Sequence, residues 1–183
     1  MTTQTSPTSV STEVEVDASA EHAFRVFTEG IGTWWDEDKH ILQAPLAEMV
    51  FEPYAGGHII DRGTDGSECR WATVLAYEPP VRVCFSWDIN LHWQIEPDPE
   101  RASEVEITFT ELTPGRTRVV LTHRHLDRHG DGWEGMRDAV GSGWSLSGFA
   151  QAVQQPFSGV ELAKLLPSVT DDTMRSRIAQ AKP

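Results

Sequence analysis

The residues best suited to chemistry lie in a histidine-rich segment, HRHLDRHGD. Its histidines, His123, His125 and His129, follow an HxHxxxH spacing, and Asp127 and Asp131 stand among and after them. Imidazoles two residues apart on a strand share a face, so this spacing is compatible with a zinc or iron site. Isolated histidines more often form structural hydrogen bonds. We therefore expect no bound metal and no cofactor.

The same histidines offer acid–base chemistry. A histidine inside an apolar cavity has an easily shifted pKa and can exchange a proton with a bound substrate. His123 and His125 are the candidates, and a structural, hydrogen-bonded histidine is the competing interpretation. Nucleophilic catalysis is not indicated, because the sequence has no GxSxG elbow and gives neither Cys69 nor Cys84 a recognisable catalytic setting. No residue is assigned a catalytic role.

A predicted hairpin positions these histidines. Two alternating segments, residues 104–112 and 116–126, flank a turn made of Thr113, Pro114 and Gly115. The register that best separates the two faces pairs Phe109 with Val119, Ile107 with Leu121, Val105 with His123, and Glu104 with Arg124. One face is then apolar and the other carries an opposite-charge pair. This register predicts that His123 and His125 face inward.

A second alternating segment, VRVCFSWDINLHWQI, covers residues 81–95 and places Trp87 among its apolar positions. Such alternation is typical of a strand with one buried face. Fifteen extended residues would span about 50 Å, which exceeds the usual length of a strand in a domain of this size. We therefore expect a bend or bulge near Asp88 to Asn90.

Two adjacent tryptophans, Trp34 and Trp35, follow a predicted helix that Ser19 caps and that Gly30 is expected to end in a left-handed conformation. Adjacent residues on a short helix project about 100° apart. One indole is then expected to plug the gap between helix and sheet while the other faces the mouth of a cavity. The alternative is that both rings fill the core, because large aromatics dominate core packing.

The last long element of the domain, residues 133–155, carries apolar residues at helical spacing but contains Gly141, Gly143 and Gly148. Each glycine costs about 1 kcal/mol relative to alanine inside a helix. One interpretation is a helix break at Gly141 with Ser142 starting a new helix. The other is that the small residues face the sheet and leave a space beneath the helix, in which a ligand can bind.

Composition limits the classes of partner. Fifteen lysine and arginine residues stand against 28 aspartate and glutamate residues, for a formal net charge of −13. This charge disfavours nucleic acids and anionic membranes as partners, and no apolar run approaches the roughly 18 residues of a membrane helix. Two cysteines give no disulfide framework, so a cytoplasmic location is expected. We divide the chain into a disordered N-terminal arm (1–9), a domain (10–156) and a C-terminal helical extension (157–183).

The predicted order is one strand, two short helices, six antiparallel strands and a long final helix. Together with several local motifs, this order resembles the SRPBCC superfamily of START-like and birch-pollen-allergen-like proteins, and within it the homologues of the activator of the heat-shock-protein-90 ATPase. The motifs are Trp34-Trp35, Gly56-Gly57, Pro79-Pro80 followed by Arg82 and by FSW at 85–87, the strand that ends in THRHL at 122–126, and Gly143-Trp144. The histidine-rich segment and the C-terminal extension depart from the family's pattern.

The resemblance implies an α+β helix-grip fold, in which a curved antiparallel sheet wraps around the C-terminal helix, with a small hydrophobic or amphipathic molecule bound between them. It also leaves two alternatives open: a cyclase-like or dehydratase-like enzyme acting in the cavity, and a stimulator of a chaperone ATPase. The expected partners are a small hydrophobic molecule, a chaperone in the second alternative, and a second copy of the chain. The expected ligand-binding residues are Trp34, Trp87, His123, His125 and Trp144.

Overall fold

The computed structural model of the protein describes residues 7–155. The predicted C-terminal extension, 157–183, and the first six residues of the predicted N-terminal arm lie outside the described residues. The strands are β1 (Val10–Val16), β2 (Leu46–Phe51), β3 (His58–Gly63), β4 (Glu68–Glu78), β5 (Arg82–Trp87), β6 (Ser103–Thr113) and β7 (Arg116–Arg124). The α-helices are α1 (Ala20–Phe27), α2 (Ile31–Trp34), α3 (Trp133–Gly143) and α4 (Ser147–Val153).

The seven strands form one antiparallel sheet in the order β1-β7-β6-β5-β4-β3-β2. The chain thus runs as predicted: one strand, two helices, six consecutive antiparallel strands, and a C-terminal helical region that packs against the sheet. This arrangement is the predicted α+β helix-grip fold. Among residues 7–155, the structure contains no helix that is long and apolar enough to cross a membrane.

The first helix starts as predicted and ends earlier. The Ser19 side chain accepts a hydrogen bond from the backbone of His22 at 3.1 Å, which satisfies an amide that the first turn leaves without a partner. The helix stops at Phe27, and Gly30 has a φ of −94° and precedes α2. The predicted left-handed end at Gly30 is therefore wrong. Glycine is required there for space, because a Cβ would lie 2.8 Å from the carbonyl oxygen of Val26.

The β6–β7 hairpin has the predicted register. All four predicted pairs are present, from Phe109 with Val119 to Glu104 with Arg124. The turn is one residue shorter than predicted, since Thr113 pairs with Arg116 and only two residues connect the strands. An irregularity between Glu111 and Thr113 absorbs the extra residue, so the inward and outward faces further along the hairpin are unchanged.

The long alternating segment folds back on itself, as its length required. Strand β5 ends at Trp87, and Ile89 then pairs with Ile95 across a tight reversal. The Asn90 side-chain oxygen accepts hydrogen bonds from the backbones of His92 and Gln94 at 2.9 and 3.0 Å, which holds the reversal closed. The predicted bend near Asp88 to Asn90 is confirmed, and it reverses the chain direction.

The C-terminal helical region is broken between α3 and α4. Helix α3 ends at Gly143, Trp144 has an extended backbone, and α4 begins at Ser147. The break lies three residues beyond the predicted position at Gly141. At Gly148 a Cβ would lie 3.0 Å from the backbone oxygen of Trp34, so glycine lets α4 approach α2 closely.

Candidate ligand-binding site

A cavity of about 340 Å³ lies beneath α3 and opens at the surface. Its walls come from the loop after α2, strands β3 to β5, the reversal after β5, and the C-terminal half of α3. Ala139, Val140 and Gly143 are its residues on α3. The volume is at the lower end of the range of about 300–1,000 Å³ for small-molecule sites. The cavity therefore separates the C-terminal half of α3 from strands β3 to β5.

Four of the five tryptophans that line the cavity pack against one another. Their ring centroids make a closed circuit in which neighbours are 5.5–5.8 Å apart: Trp35, Trp71, Trp87 and Trp144. We refer to these four residues as the tryptophan ring. Indole faces favour planar aromatic partners in stacked or edge-on contact. The wall is thus suited to a flat, largely apolar molecule.

The predicted ligand-binding residues include Trp34, but it is Trp35 of the adjacent pair that reaches the cavity. Trp35 lines the cavity. Trp34 instead packs between Phe27 and Phe149, with centroids 5.0 and 5.6 Å away, and its indole N–H donates to the backbone oxygen of Val26 at 3.0 Å. One indole plugs the gap between helices and the other reaches the cavity, as the 100° projection requires.

Two aspartates line the cavity, Asp38 and Asp61, and of these two only Asp61 is buried. Asp61 alternates with Ile59 on the inward face of β3, and only 2% of its surface is exposed. One carboxyl oxygen accepts a hydrogen bond from the indole N–H of Trp71 at 2.9 Å. Burial raises the pKa of Asp61 to about 6, against the opposing effects of the Trp71 bond and nearby His40. The group therefore changes protonation state close to neutral pH.

Two further polar atoms of the cavity residues have no hydrogen-bond partner within residues 7–155. They are the indole N–H of Trp87 and Nδ1 of His40, and both are buried. Leaving a buried donor or acceptor unpaired costs about 1–3 kcal/mol. Both atoms belong to residues that line the cavity, and both atoms are shielded from solvent.

His123 lies behind the cavity wall. It is fully buried, and its Nδ1 accepts a hydrogen bond from the Trp144 indole N–H at 3.1 Å. On its other side, Nε2 is 2.7 Å from the Ser103 hydroxyl, which is also 2.7 Å from Nε2 of His129. Burial lowers the pKa of His123 to about 3, so its imidazole is neutral. Burial lowers the pKa of His129 as well.

His125 does not face inward, and that prediction is wrong. Strand β7 ends at Arg124, and His125 has a left-handed backbone with a φ of 60°. The alternation of faces stops with the strand, so the side chain is about half exposed and lies 3.9 Å from the Glu104 carboxylate. Of the five predicted ligand-binding residues, the structure places Trp87 and Trp144 on the cavity wall and His123 directly behind it.

The remaining cavity residues were not among the predicted ligand-binding residues. The strongest sequence indication was Asp61, a single acidic residue in the apolar run HIID of β3, in step with the buried Ile59. On β4, Trp71 and the adjacent Ala72 are both buried, so simple alternation does not mark Trp71. No comparable pattern marks His40, which lies in a loop. In the described part of the chain, no three His, Cys, Asp or Glu side chains are grouped to hold a metal ion.

Comparisons with known proteins identify relatives of this architecture. The sequence profile of the family described as "Activator of Hsp90 ATPase homolog 1-like protein" matches residues 17–152. A solved structure described as an anthrahydroquino-gamma-pyrone synthase, in complex with SUM, is 39% identical to this chain. It superimposes with a TM-score of 0.58, covering 79% of this chain and 96% of the synthase. No curated protein sequence matches the chain.

More distant structures share the fold. A protein from Nitrosomonas europaea has a TM-score of 0.58 at 12% identity and covers 81% of this chain and 96% of its own. A protein from Mycobacterium smegmatis has a TM-score of 0.57 at 15% identity, with coverages of 83% and 94%. At such identities the likeness concerns the fold alone.

Proposed function

The chain belongs to the family of Activator of Hsp90 ATPase homolog 1-like proteins, and from this premise we propose that it is a cyclase acting on a planar polycyclic aromatic molecule. The tryptophan ring binds the flat part of the substrate in the cavity. Asp61 transfers the proton during ring closure. This assignment unites two expectations from the sequence, a ligand in the cavity and an enzyme that acts on it.

The observation that carries the proposal is a buried carboxyl group, with a pKa of about 6, in an aromatic cavity. General acid–base catalysis is most effective when the pKa of the group lies near the working pH, and it accelerates reactions by about 10²–10⁴-fold. A solvent-exposed aspartate, with a pKa near 3.8, is a weak base and almost never a proton donor at neutral pH. Burial gives Asp61 a pKa near the working pH, which an exposed aspartate lacks.

We propose a reaction in which Asp61 both removes and returns the proton. Ionised Asp61 takes the proton of a phenolic hydroxyl on the substrate. The phenolic oxygen at the same time bonds to the alkyne carbon farther from the carbonyl of a neighbouring alkynyl ketone. The electron pair moves to the adjacent carbon, and Asp61 then returns the proton to that carbon. The product is a pyrone ring fused to the aromatic system.

The 39%-identical synthase supports this substrate class, since its description names an anthrahydroquinone fused to a gamma-pyrone. The likeness extends over 79% of this chain and 96% of the synthase. The family's fold alone would support ligand binding without specifying a reaction.

The test uses 1-hydroxyanthraquinone carrying an alkynyl ketone next to the hydroxyl. Wild-type protein is expected to bind this compound, measured by quenching of tryptophan fluorescence, and to cyclise it, measured by chromatography. In Asp61→Asn the amide cannot take the proton, so the cyclisation rate is expected to fall at least 100-fold while the dissociation constant changes less than about fivefold. The exposed variant Asp131→Asn is the matched control.

Two results would contradict the proposal. One is cyclisation by Asp61→Asn at the wild-type rate, which would remove Asp61 from the reaction. The other is failure of wild-type protein to quench on addition of the compound. In that case the alternative function, stimulation of a chaperone ATPase, is favoured. It is tested by measuring the ATPase rate of purified heat-shock protein 90 with and without the protein. Native mass spectrometry of the same sample gives the subunit count.

We also propose a cytoplasmic location, because two cysteines give no disulfide framework. Cys69 and Cys84 are both free thiols, and burial raises the pKa of each to about 11, so neither is a reactive thiolate at neutral pH.

A further inference from the structure

A chain of hydrogen bonds runs from the cavity wall into the core. The Trp144 indole N–H contacts His123 Nδ1 at 3.1 Å, and His123 Nε2 contacts the Ser103 hydroxyl at 2.7 Å. The same hydroxyl contacts Nε2 of His129 at 2.7 Å. Ser103 and His123 are fully buried, and His129 is 3% exposed. Water therefore has little access to any link beyond Trp144.

The hydrogen-bond chain has one direction of proton donation because its first donor is unambiguous. An indole nitrogen can only donate, so Nδ1 of His123 must be the unprotonated nitrogen of its ring. The neutral ring then carries its proton on Nε2 and donates it to the Ser103 oxygen. Ser103 is left with its own hydroxyl proton, which points to Nε2 of His129. His129 consequently carries its proton on Nδ1.

The reverse arrangement at the last link leaves more groups unpaired. If His129 also donated to Ser103, the buried serine hydroxyl proton would have no acceptor among the described contacts, and His129 Nδ1 would be an unpaired acceptor. In the assigned direction only the Nδ1 proton of His129 lacks a partner. Each unpaired buried group costs about 1–3 kcal/mol, so the assigned direction is favoured.

The indole at the start of the hydrogen-bond chain belongs to a residue outside regular secondary structure. Trp144 follows the last residue of α3, has an extended backbone, and is only partly buried. No helical turn fixes its side chain, so the hydrogen bond to His123 is the directional constraint on this ring. Trp87 and Trp35 pack against it at 5.8 and 5.5 Å but constrain direction less than a hydrogen bond does.

We propose that His123 is a positioning residue that fixes the orientation of the Trp144 indole, and thereby the plane in which the cavity accepts an aromatic ligand. Ser103 and His129 hold His123 in the one tautomer that can accept the indole proton. The inference rests on the proposed function for its ligand. The hydrogen-bond chain itself is present without one.

The tautomers give the first test, and it needs neither a ligand nor a variant. Long-range proton–nitrogen correlation spectra of ¹⁵N-labelled protein at pH 7 distinguish protonated from unprotonated ring nitrogens. We expect His123 to be protonated on Nε2 only and His129 on Nδ1 only. A His123 ring protonated on Nδ1 would overturn the inference, because it could not accept from Trp144.

Two substitutions at one position separate positioning from packing. In His123→Asn the amide oxygen lies near the former Nδ1 and can still accept from Trp144. In His123→Gln the longer amide reaches the former Nε2 position, so it can contact Ser103 but leaves Trp144 without an acceptor. Exchange of the Trp144 indole proton with solvent is expected to stay within about threefold of wild type in the asparagine variant and to accelerate at least tenfold in the glutamine variant.

Ligand binding should follow the same order. Affinity for 1-hydroxyanthraquinone is expected to be nearly retained in His123→Asn and at least tenfold weaker in His123→Gln. In a Trp144→Phe background, where no indole proton exists, this difference should vanish. Equal losses in the two variants would show that His123 only fills space.

The outcomes also separate this inference from the proposed function. If 1-hydroxyanthraquinone does not bind wild-type protein, the proposed function fails, while the tautomers and the exchange rates still decide the role of His123. If the alkynyl ketone derivative of 1-hydroxyanthraquinone binds and its cyclisation depends on Asp61, but both His123 variants exchange the indole proton alike, the positioning role fails alone.

Discussion

The helices cover the two halves of the sheet in different ways. Beneath α1 and α4 the core is closely packed. Phe24 and Phe27 pack against Phe109, and Phe27 also packs against Phe149, with ring centroids 5.1–6.0 Å apart. Beneath α3 the tryptophan ring surrounds an open cavity. We call these the closed half and the open half.

The two halves also treat buried polar groups differently. In the closed half, the buried hydroxyls of Thr28 and Thr117 donate to backbone oxygens at 2.8 Å. In the open half, Asp61 has a displaced pKa, and the Trp87 N–H and His40 Nδ1 are without partners among the described residues. Unpaired buried polar groups reduce stability, and proteins retain them where they serve a function. The proposed function accounts for this contrast, with the closed half stabilising the fold and the open half binding the ligand.

The largest expected effect on stability belongs to the closed half. Phe149→Ala removes a fully buried ring that contacts both α1 and α2, so the free energy of unfolding is expected to fall by about 3–5 kcal/mol. Trp93→Ala is the counterpart at the cavity mouth, where the side chain is half exposed, and its expected loss is below about 1 kcal/mol. Urea denaturation measures both. Equal losses would erase the distinction between the halves.

The next effect has the opposite sign and lies in the open half. Between pH 3.8 and 6 folded Asp61 holds a proton that the unfolded chain releases, so stability from this group is lost as the pH rises through 6. Asp61→Asn is therefore expected to be more stable than wild type at pH 8, by up to about 3 kcal/mol. The difference should disappear below about pH 4. A destabilised variant at pH 8 would show that the carboxylate is well solvated or paired.

The buried imidazole behind the cavity gives a pH dependence of the other sign. The pKa of His123 is about 3 in the folded protein, so below its ordinary value of 6.5 the unfolded chain binds a proton that the folded protein does not. Stability is expected to fall as the pH drops below 6.5, with a slope from this group of up to about 1.4 kcal/mol per pH unit. His123→Asn removes that contribution. An unchanged pH profile in the variant would contradict the lowered pKa of His123.

The smallest expected effect on stability comes from filling the cavity. Ala139→Phe adds a ring on the cavity side of α3 and is expected to change the free energy of unfolding by less than about 1 kcal/mol, because open space receives it. The same variant should lose binding of 1-hydroxyanthraquinone. Ser142→Phe, on the exposed face of α3, is the control and should bind normally. Normal binding by Ala139→Phe would place the ligand elsewhere.

Sequence alone predicted the features that depend on local alternation. The hairpin register could be read because each strand carries its own inward and outward residues, and Ser19 marks a helix start by its chemistry. The inward row of β7 was predicted one residue too far, to His125, because the strand ends in a left-handed residue that no local pattern marks.

The features that sequence missed depend on contacts between distant segments. Whether Trp34 or Trp35 reaches the cavity is set by how α2 packs against α4, and Gly148 allows that packing. Burial in the fold raises the pKa of Asp61, against the hydrogen bond from Trp71 on the neighbouring strand. Neither contact is encoded by residues close in the chain.

The most direct measurement of the central claim is the titration of the Asp61 carboxyl carbon by ¹³C NMR, from pH 3 to pH 9, with and without 1-hydroxyanthraquinone. We predict a midpoint near pH 6 in the free protein and a displaced midpoint when the probe occupies the cavity. A midpoint near 3.8 that the probe leaves unchanged would contradict it.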